Sequence, residues 1–158
     1  MKAIRNHPMN NQEKKEYLER YKWTSIEVKK LKEQINELKA SALPGAISYD
    51  GMPHGSGGGN FDLSDYAARL DGLIQKYRQT YRRKLKELHD ITEALDQLEQ
   101  KDGESIKFAT LLRLRYVYGY DWERIATDMS YSEDYVKRRL HSLALTAFEP
   151  VVNNQTCS

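Results

Sequence analysis

Three consecutive cationic side chains, Lys137, Arg138 and Arg139, stand near the end of the chain. If this stretch is helical, a rotation of about 100° per residue separates an apolar side from a polar side with its flanks. The residues expected on the polar side or its flanks are Asp134, Tyr135, Lys137, Arg138, Arg139, His141 and Ser142. Cationic and hydroxyl side chains are suitable partners for phosphates and base edges. The pattern predicts a surface that contacts DNA; the alternative is an ordinary solvated face.

Residues that could support catalysis or hold a metal are not grouped in this sequence. The four histidines lie far apart, and none has cysteine or acidic partners at the spacing of metal ligands. No Gly-x-Ser-x-Gly nucleophile motif is present. The glycine-rich run at 55–59 lacks the Lys-Ser/Thr pair that a phosphate-binding loop needs. We therefore expect no enzymatic activity, no metal site and no cofactor.

The cationic triplet belongs to the second of two short predicted helices. Asp121 is placed to cap a first helix at 122–129, and Ser132 to cap a second one after a short break. The first helix has one apolar face, formed by Trp122, Ile125, Ala126 and Met129. On the second helix we expect a buried side formed by Val136, Leu140, Leu143, Ala144 and Ala147. The two segments predict a helix-turn-helix.

A family resemblance supports this prediction. It rests on Leu112-Arg113-Leu114-Arg115-Tyr116, Gly119, Trp122-Glu123-Arg124-Ile125-Ala126, Ser132 and Val136. The stretch resembles region 4 of the sigma-70 family and, more closely, phage late-transcription regulators of the ArpU and RinA type. The resemblance implies a promoter-reading module with its recognition helix at about 132–147, on which Lys137 and Arg138 face DNA. Arg139 departs from the family pattern, in which an apolar residue is usual there, so the choice among Arg138, Arg139 and His141 stays open.

Two long amphipathic helices are predicted before this module. The first covers about 11–42 and the second about 63–100, each with apolar residues mostly three or four positions apart. The expected fold class is all-α, with a long helical hairpin or coiled-coil body followed by a C-terminal helix-turn-helix head. The expected division is 1–42 for the first helix, 43–60 for a Gly/Pro-rich flexible linker, 61–103 for the second helix, 104–149 for the head and 150–158 for a tail.

The second long helix carries a basic run and exceeds the first in length. A helix of about 38 residues would be about 57 Å long, so part of its apolar stripe is left uncovered. We therefore expect a homodimer. Secondary contacts to phosphates, or to an acidic surface on a partner such as host RNA polymerase, are expected from Arg82, Arg83, Lys84, Lys86, Arg113 and Arg115. The alternative is that these cations are simply solvated.

Composition limits the other classes of function. The net charge of +2 creates no strong overall attraction to nucleic acid, so local geometry would have to supply it. No apolar run has the length of a membrane helix, and the N-terminus lacks a signal-peptide core. With a single Cys157, these features fit the cytoplasm of a bacterial host.

The preferred function is a DNA-binding transcription regulator. The alternatives are a DNA-packaging protein similar to a phage small terminase, or a coiled-coil interaction protein without DNA readout.

Overall fold

The computed structural model describes residues 7–42 and 62–151, and these residues contain helices and no strand. The α-helices are α1 (Asn11–Ser41), α2 (Leu63–Glu99), α3 (Gly103–Leu112), α4 (Trp122–Met129) and α5 (His141–Ala147). Two π-helical segments, Arg113–Val117 and Tyr135–Leu140, follow α3 and precede α5. The predicted all-α fold class is confirmed. The predicted linker at 43–60 and most of the predicted tail lie outside the described residues.

Side-chain caps determine where the first four α-helices begin. At α1, Asn10 Oδ1 accepts the Glu13 N–H at 2.9 Å, and the Glu13 carboxylate accepts the Asn10 N–H at 3.0 Å. This reciprocal pair is a capping box. Asp62 caps α2, Asp102 caps α3 and Asp121 caps α4, each through a backbone N–H in the first turn. The caps satisfy donors that have no partner inside the helix.

Helices α1 and α2 pack against each other in antiparallel orientation, as expected for a hairpin. Near the middle of the pair, Arg83 Nη2 lies 2.6 Å from Glu27 Oε2. Toward the end of α1, Leu38 lines the same groove as Leu73 near the start of α2. The buried residues of this hairpin are Leu18, Thr24, Val28, Leu31 and Ile35 on α1, with Thr80, Ile91, Ala94, Leu95 and Leu98 on α2.

One hydrophobic core joins the C-terminal half of the molecule to the hairpin. Leu18 of α1 and Leu95 of α2 are fully buried in the same cluster as Ile125 of α4 and Phe148 after α5. The cluster also contains Ile91, Ala94, Leu98, Ala109, Leu111, Leu112, Tyr116, Ala126, Val136, Leu140, Ala144 and Leu145. Burial on this scale is the main source of stability in a small helical protein. The C-terminal helices are thus positioned by the first part of α1 and the last part of α2.

Part of the apolar surface of α2 remains exposed in the single chain. Leu63 at its first position is 69% exposed, and Leu85 near its middle is 48% exposed. Tyr81 lies one turn before Leu85 and is 40% exposed, with its ring 5.9 Å from that of Tyr77. Within the described ranges, no helix has a stretch both long and apolar enough to cross a membrane.

Candidate nucleic-acid interface

A tight turn follows α4 and reverses the direction of the chain. Asp121 Oδ1 caps α4 by accepting the Arg124 N–H at 2.8 Å. At the other end, Ser130 has φ 60° and ψ 40°, and its N–H donates to the Thr127 carbonyl at 3.2 Å. The next N–H, of Tyr131, donates to the Ala126 carbonyl at 3.0 Å. This pair of bonds is a Schellman motif with serine at the position where glycine is usual.

The helical stretch 133–147, named here the basic helix, begins directly after this turn. Ser132 Oγ accepts the Tyr135 N–H at 3.3 Å, so Ser132 is the cap that its residue type predicts. The stretch contains the π-helical segment Tyr135–Leu140 and continues as α5. In the π-helical segment the His141 N–H donates to the carbonyl of Val136, five residues earlier.

The π-helical segment changes which residues of the basic helix are buried. A bond spanning five residues places one more residue in the turn, so the side chains after it are rotated relative to a regular α-helix. Leu143, predicted to be buried, is 43% exposed, and Leu145 is buried in its place. The prediction for Leu143 was therefore wrong. The buried positions that result are Val136, Leu140, Ala144, Leu145 and Phe148.

The same rotation turns His141 inward, and this corrects the expectation that it lies on the polar side. His141 Nε2 forms a 2.8 Å hydrogen bond with the Tyr116 hydroxyl, and its ring lies 4.8 Å from that of Trp122 in an edge-on arrangement. Burial lowers the pKa of His141 to about 4, and the nearby charges of Lys15 and Arg115 act in the same direction. His141 is therefore neutral at neutral pH and is not a cation available to phosphates.

The cationic triplet remains on the outside of the basic helix. Lys137, Arg138 and Arg139 are all exposed, in the turn between the buried residues Val136 and Leu140. Arg138 Nε lies 2.7 Å from Asp134 Oδ1, one turn earlier, and both side chains are at least three-quarters exposed. The side chains of Lys137, Arg138 and Arg139 are therefore all accessible from outside the protein.

The other predicted members of this site take different positions. Tyr135 is exposed, with its ring 5.2 Å from that of Tyr131. Ser142 is exposed as well, and its carbonyl accepts a hydrogen bond from Asn11 Nδ2 at 3.3 Å. Tyr131, in the turn before the basic helix, is exposed as well. Such hydroxyl groups can donate to phosphate oxygens.

Arg113 and Arg115, proposed as secondary phosphate contacts, have partners inside the protein. Arg113 Nη2 lies 3.0 Å from Asp96 Oδ1 and 3.2 Å from Glu99 Oε2, both on α2. The Arg115 guanidinium lies 4.5 Å from the centre of the Trp122 ring, and its Nη1 donates to the Tyr120 carbonyl at 2.9 Å. These contacts indicate that both arginines hold the segment after α3 in place.

The basic run of α2 contains two side chains with a partner on α1 and two exposed ones. Arg83 forms the ion pair with Glu27, and Lys84 Nζ lies 5.8 Å from the centre of the Tyr21 ring. Arg82 and Lys86 are exposed. Lys86 also lines a groove beside Tyr17 between the two long helices. All four are on the hairpin, whereas the cationic triplet is on the basic helix.

A contact between the start of α1 and the end of α5 could not be predicted from the sequence. Asn11 Nδ2 donates to Thr146 Oγ1 at 3.0 Å, and Lys14 Nζ donates to the Thr146 carbonyl at 3.1 Å. Asn11 and Lys14 belong to the first turn of α1, whereas Thr146 is near the end of α5. The contacts join residues more than 130 positions apart, so no local pattern indicates them. They fix the end of the basic helix against α1.

Comparisons of the chain with models of protein families, with curated proteins and with solved structures found no match. Across 7–42 and 62–151, no group of three or more His, Cys, Asp or Glu side chains is arranged to hold a metal ion.

Proposed function

We propose that the protein is a sequence-specific DNA-binding transcription regulator that inserts its basic helix into the major groove of double-stranded DNA. The observation that carries the proposal is the joint exposure of Lys137, Arg138 and Arg139 on a helix whose opposite side is buried in the core. Since Val136 and Leu140 are buried in the core, the basic helix is held in one orientation relative to the rest of the described structure.

The local arrangement fits the two kinds of contact that groove recognition needs. Arginine can bond to O6 and N7 of guanine in the major groove, whereas lysine and tyrosine commonly contact phosphates. Arg138 and Arg139 are therefore the proposed base-reading residues, with Lys137, Tyr131 and Tyr135 as proposed phosphate contacts. The α4 helix, joined to the basic helix by the turn at Ser130, would lie across the DNA backbone.

The small net charge of +2 fits a local mode of attraction. A protein without a strong overall field depends on a few well-placed cations, and its affinity falls with salt in proportion to the phosphates it neutralises. The resemblance to phage late-transcription regulators supports a phage or prophage origin and action in the host cytoplasm. In this proposal the exposed Arg82 and Lys86 on α2 face either flanking phosphates or an acidic surface of host RNA polymerase.

The proposal includes a homodimer formed through α2. The exposed apolar side chains Tyr81 and Leu85 lie one turn apart, and the exposed Leu63 is the first residue of the same helix. The proposed occupant is a second copy of the chain, because the long α2 can supply an equal and self-complementary apolar surface from each protomer. A dimer would present two basic helices, so its DNA site would contain two half-sites.

Selection of bound sequences from a random pool of duplexes, at about 150 mM salt where non-specific binding is weak, tests the proposal. A regulator of this kind enriches one defined motif, and a dimer enriches two copies at a fixed spacing. Absence of any enriched motif at this salt concentration and at lower ones would contradict sequence-specific DNA binding.

A further inference from the structure

The ion pair of Asp134 and Arg138 lies on the outer surface of the basic helix. Arg138 Nε lies 2.7 Å from Asp134 Oδ1, and the side chains are 80% and 75% exposed respectively. The two residues are four positions apart, the spacing at which side chains of a helix meet on one face. An exposed pair of this kind contributes little to folding. The effect of the pair that matters here is on the orientation of the Arg138 guanidinium.

The geometry of the pair leaves the end of the arginine side chain unused. A guanidinium has five N–H donors, one on Nε and four on the two terminal nitrogens. The contact with Asp134 is made by Nε, so the two terminal nitrogens retain their donors on the far side of the group. Guanine offers two acceptors, O6 and N7, on its major-groove edge, and an arginine can bond to both at once.

A free arginine on a helix surface samples many rotamers and loses that freedom when it binds. A partner that holds Nε beforehand reduces this loss for the one orientation in which the terminal nitrogens point outward. The same carboxylate repels phosphate oxygens, so it disfavours contact with the DNA backbone at that place. Both effects favour guanine reading by Arg138 over unspecific attraction.

We infer that Asp134 is a specificity-determining residue that holds the Arg138 guanidinium in position to read guanine. The inference rests on the proposed function and also distinguishes between the neighbouring arginines. Arg138 has this carboxylate partner within its own helix. Arg138 is therefore the primary base reader, and Asp134 is a positioning residue that acts through it.

The test uses the full chain and the duplex obtained by selection. Asp134→Asn keeps the size of the side chain and removes its charge, and Asp134→Ala removes the acceptor altogether. Glu133→Gln is the matched control, because Glu133 is an exposed acid in the same first turn and its change removes the same charge. Each variant is titrated with the selected duplex, with duplexes changed at the base pair that Arg138→Ala relaxes, and with unrelated DNA.

We expect Asp134→Asn and Asp134→Ala to reduce discrimination at that one base pair by at most about fivefold, the size of an exposed ion pair, and by less than Arg138→Ala, which removes the bidentate contact itself. Glu133→Gln should leave discrimination unchanged. Affinity for unrelated DNA should rise to a similar degree in Asp134→Asn and Glu133→Gln, because each removes one repulsive charge. In the Arg138→Ala background, Asp134→Asn should have no further effect on discrimination, since the residue through which it acts is gone.

Two results would overturn the inference while leaving the proposed function intact. If Asp134→Asn loses no more discrimination than Glu133→Gln, Asp134 does not position Arg138. A change at a different base pair from the one that Arg138→Ala relaxes would show that Asp134 itself reads a base, such as the N4 amino group of cytosine. If no motif is selected at all, the proposed function fails and the inference fails with it. Thermal unfolding of each variant should stay close to that of the parent chain, because both side chains are exposed.

Discussion

The Tyr116 hydroxyl and His141 Nε2 lie 2.8 Å apart and form a hydrogen bond between the first π-helical segment and the start of α5. Tyr116 belongs to the segment Arg113–Val117, and His141 begins α5 directly after Tyr135–Leu140. Burial raises the pKa of Tyr116 and lowers that of His141, so both groups are neutral over the physiological range. The contact connects the segment before α4 with the helix that carries the cations.

Stability should depend on pH through His141. Its pKa falls from 6.5 to about 4 on folding, so between these values the unfolded chain binds a proton that the folded chain does not. The contribution is complete above pH 6.5 and is lost as the pH falls toward 4. Because the ring is partly exposed and solvent screening weakens the effect, we expect a loss of about 1–2 kcal/mol.

Urea unfolding at pH values from about 7 to about 4.5 measures this dependence. The matched variant is His141→Gln, which has no titratable group and should be less stable at neutral pH but less sensitive to acid. Carboxylates titrate in both proteins. The difference between the two slopes of unfolding free energy against pH therefore reports the contribution of His141. Equal slopes in the parent chain and the variant would show that His141 is not responsible.

The turn after α4 should be stabilised by glycine. Ser130 occupies the left-handed region at φ 60°, where a side chain is disfavoured and glycine is not. We expect Ser130→Gly to raise the free energy of unfolding by about 0.5–1 kcal/mol. The opposite change, Gly119→Ala, should lower it by about 1 kcal/mol, because Gly119 also has a positive φ of 72°.

Both turn variants can be compared by thermal or urea unfolding. An added Cβ at Gly119 would meet no heavy atom within 4 Å, so the expected loss comes from the backbone conformation alone. A destabilising Ser130→Gly would indicate that the Ser130 side chain makes a favourable contact that outweighs its strained backbone.

The hairpin and the head should unfold together. Leu18 is fully buried in the cluster that contains Ile125, Val136 and Phe148. We expect Leu18→Ala to lower the free energy of unfolding by about 2–5 kcal/mol and to keep a single transition. The control is Ile26→Ala on the exposed side of α1, which should change stability by at most about 0.5 kcal/mol. Two separate transitions in the parent chain would contradict a shared core.

Self-association should depend on Leu85. Leu85→Glu places a charge at a position that is 48% exposed in the single chain, so the chain should fold and remain monomeric. Molar mass in solution, measured across a range of protein concentrations, checks this. Ile26→Glu changes an exposed apolar residue on α1 and is the matched control. If Ile26→Glu separates the protomers and Leu85→Glu does not, the interface lies on α1 instead.

Features set by neighbouring residues could be predicted from the sequence. The caps at Asp121 and Ser132 depend on groups at most three positions away, and the structure contains both. The long helices follow from apolar spacing in the same way. The position of α4 at 122–129 was also predicted correctly, because a cap and one apolar face define its two ends.

Features set by tertiary packing could not be predicted in this way. A regular α-helical period places Leu143 inside and His141 outside, and the π-helical segment reverses both. Leu145 and Phe148 are buried in a core to which α1 and α2 also contribute, so no local pattern indicates their burial. The link from Asn11 to Thr146 had no local indication at all.

The most direct measurement is the affinity for the selected duplex of two variants that lose equal charge. One replaces Lys137, Arg138 and Arg139 with alanine; the other replaces Lys29, Lys30 and Lys32, which are exposed on α1. The account predicts that the first variant loses at least about a hundredfold in affinity, whereas the second stays within about threefold of the parent chain. Equal losses in the two variants, or no loss in the first, would contradict the proposal that the basic helix reads DNA.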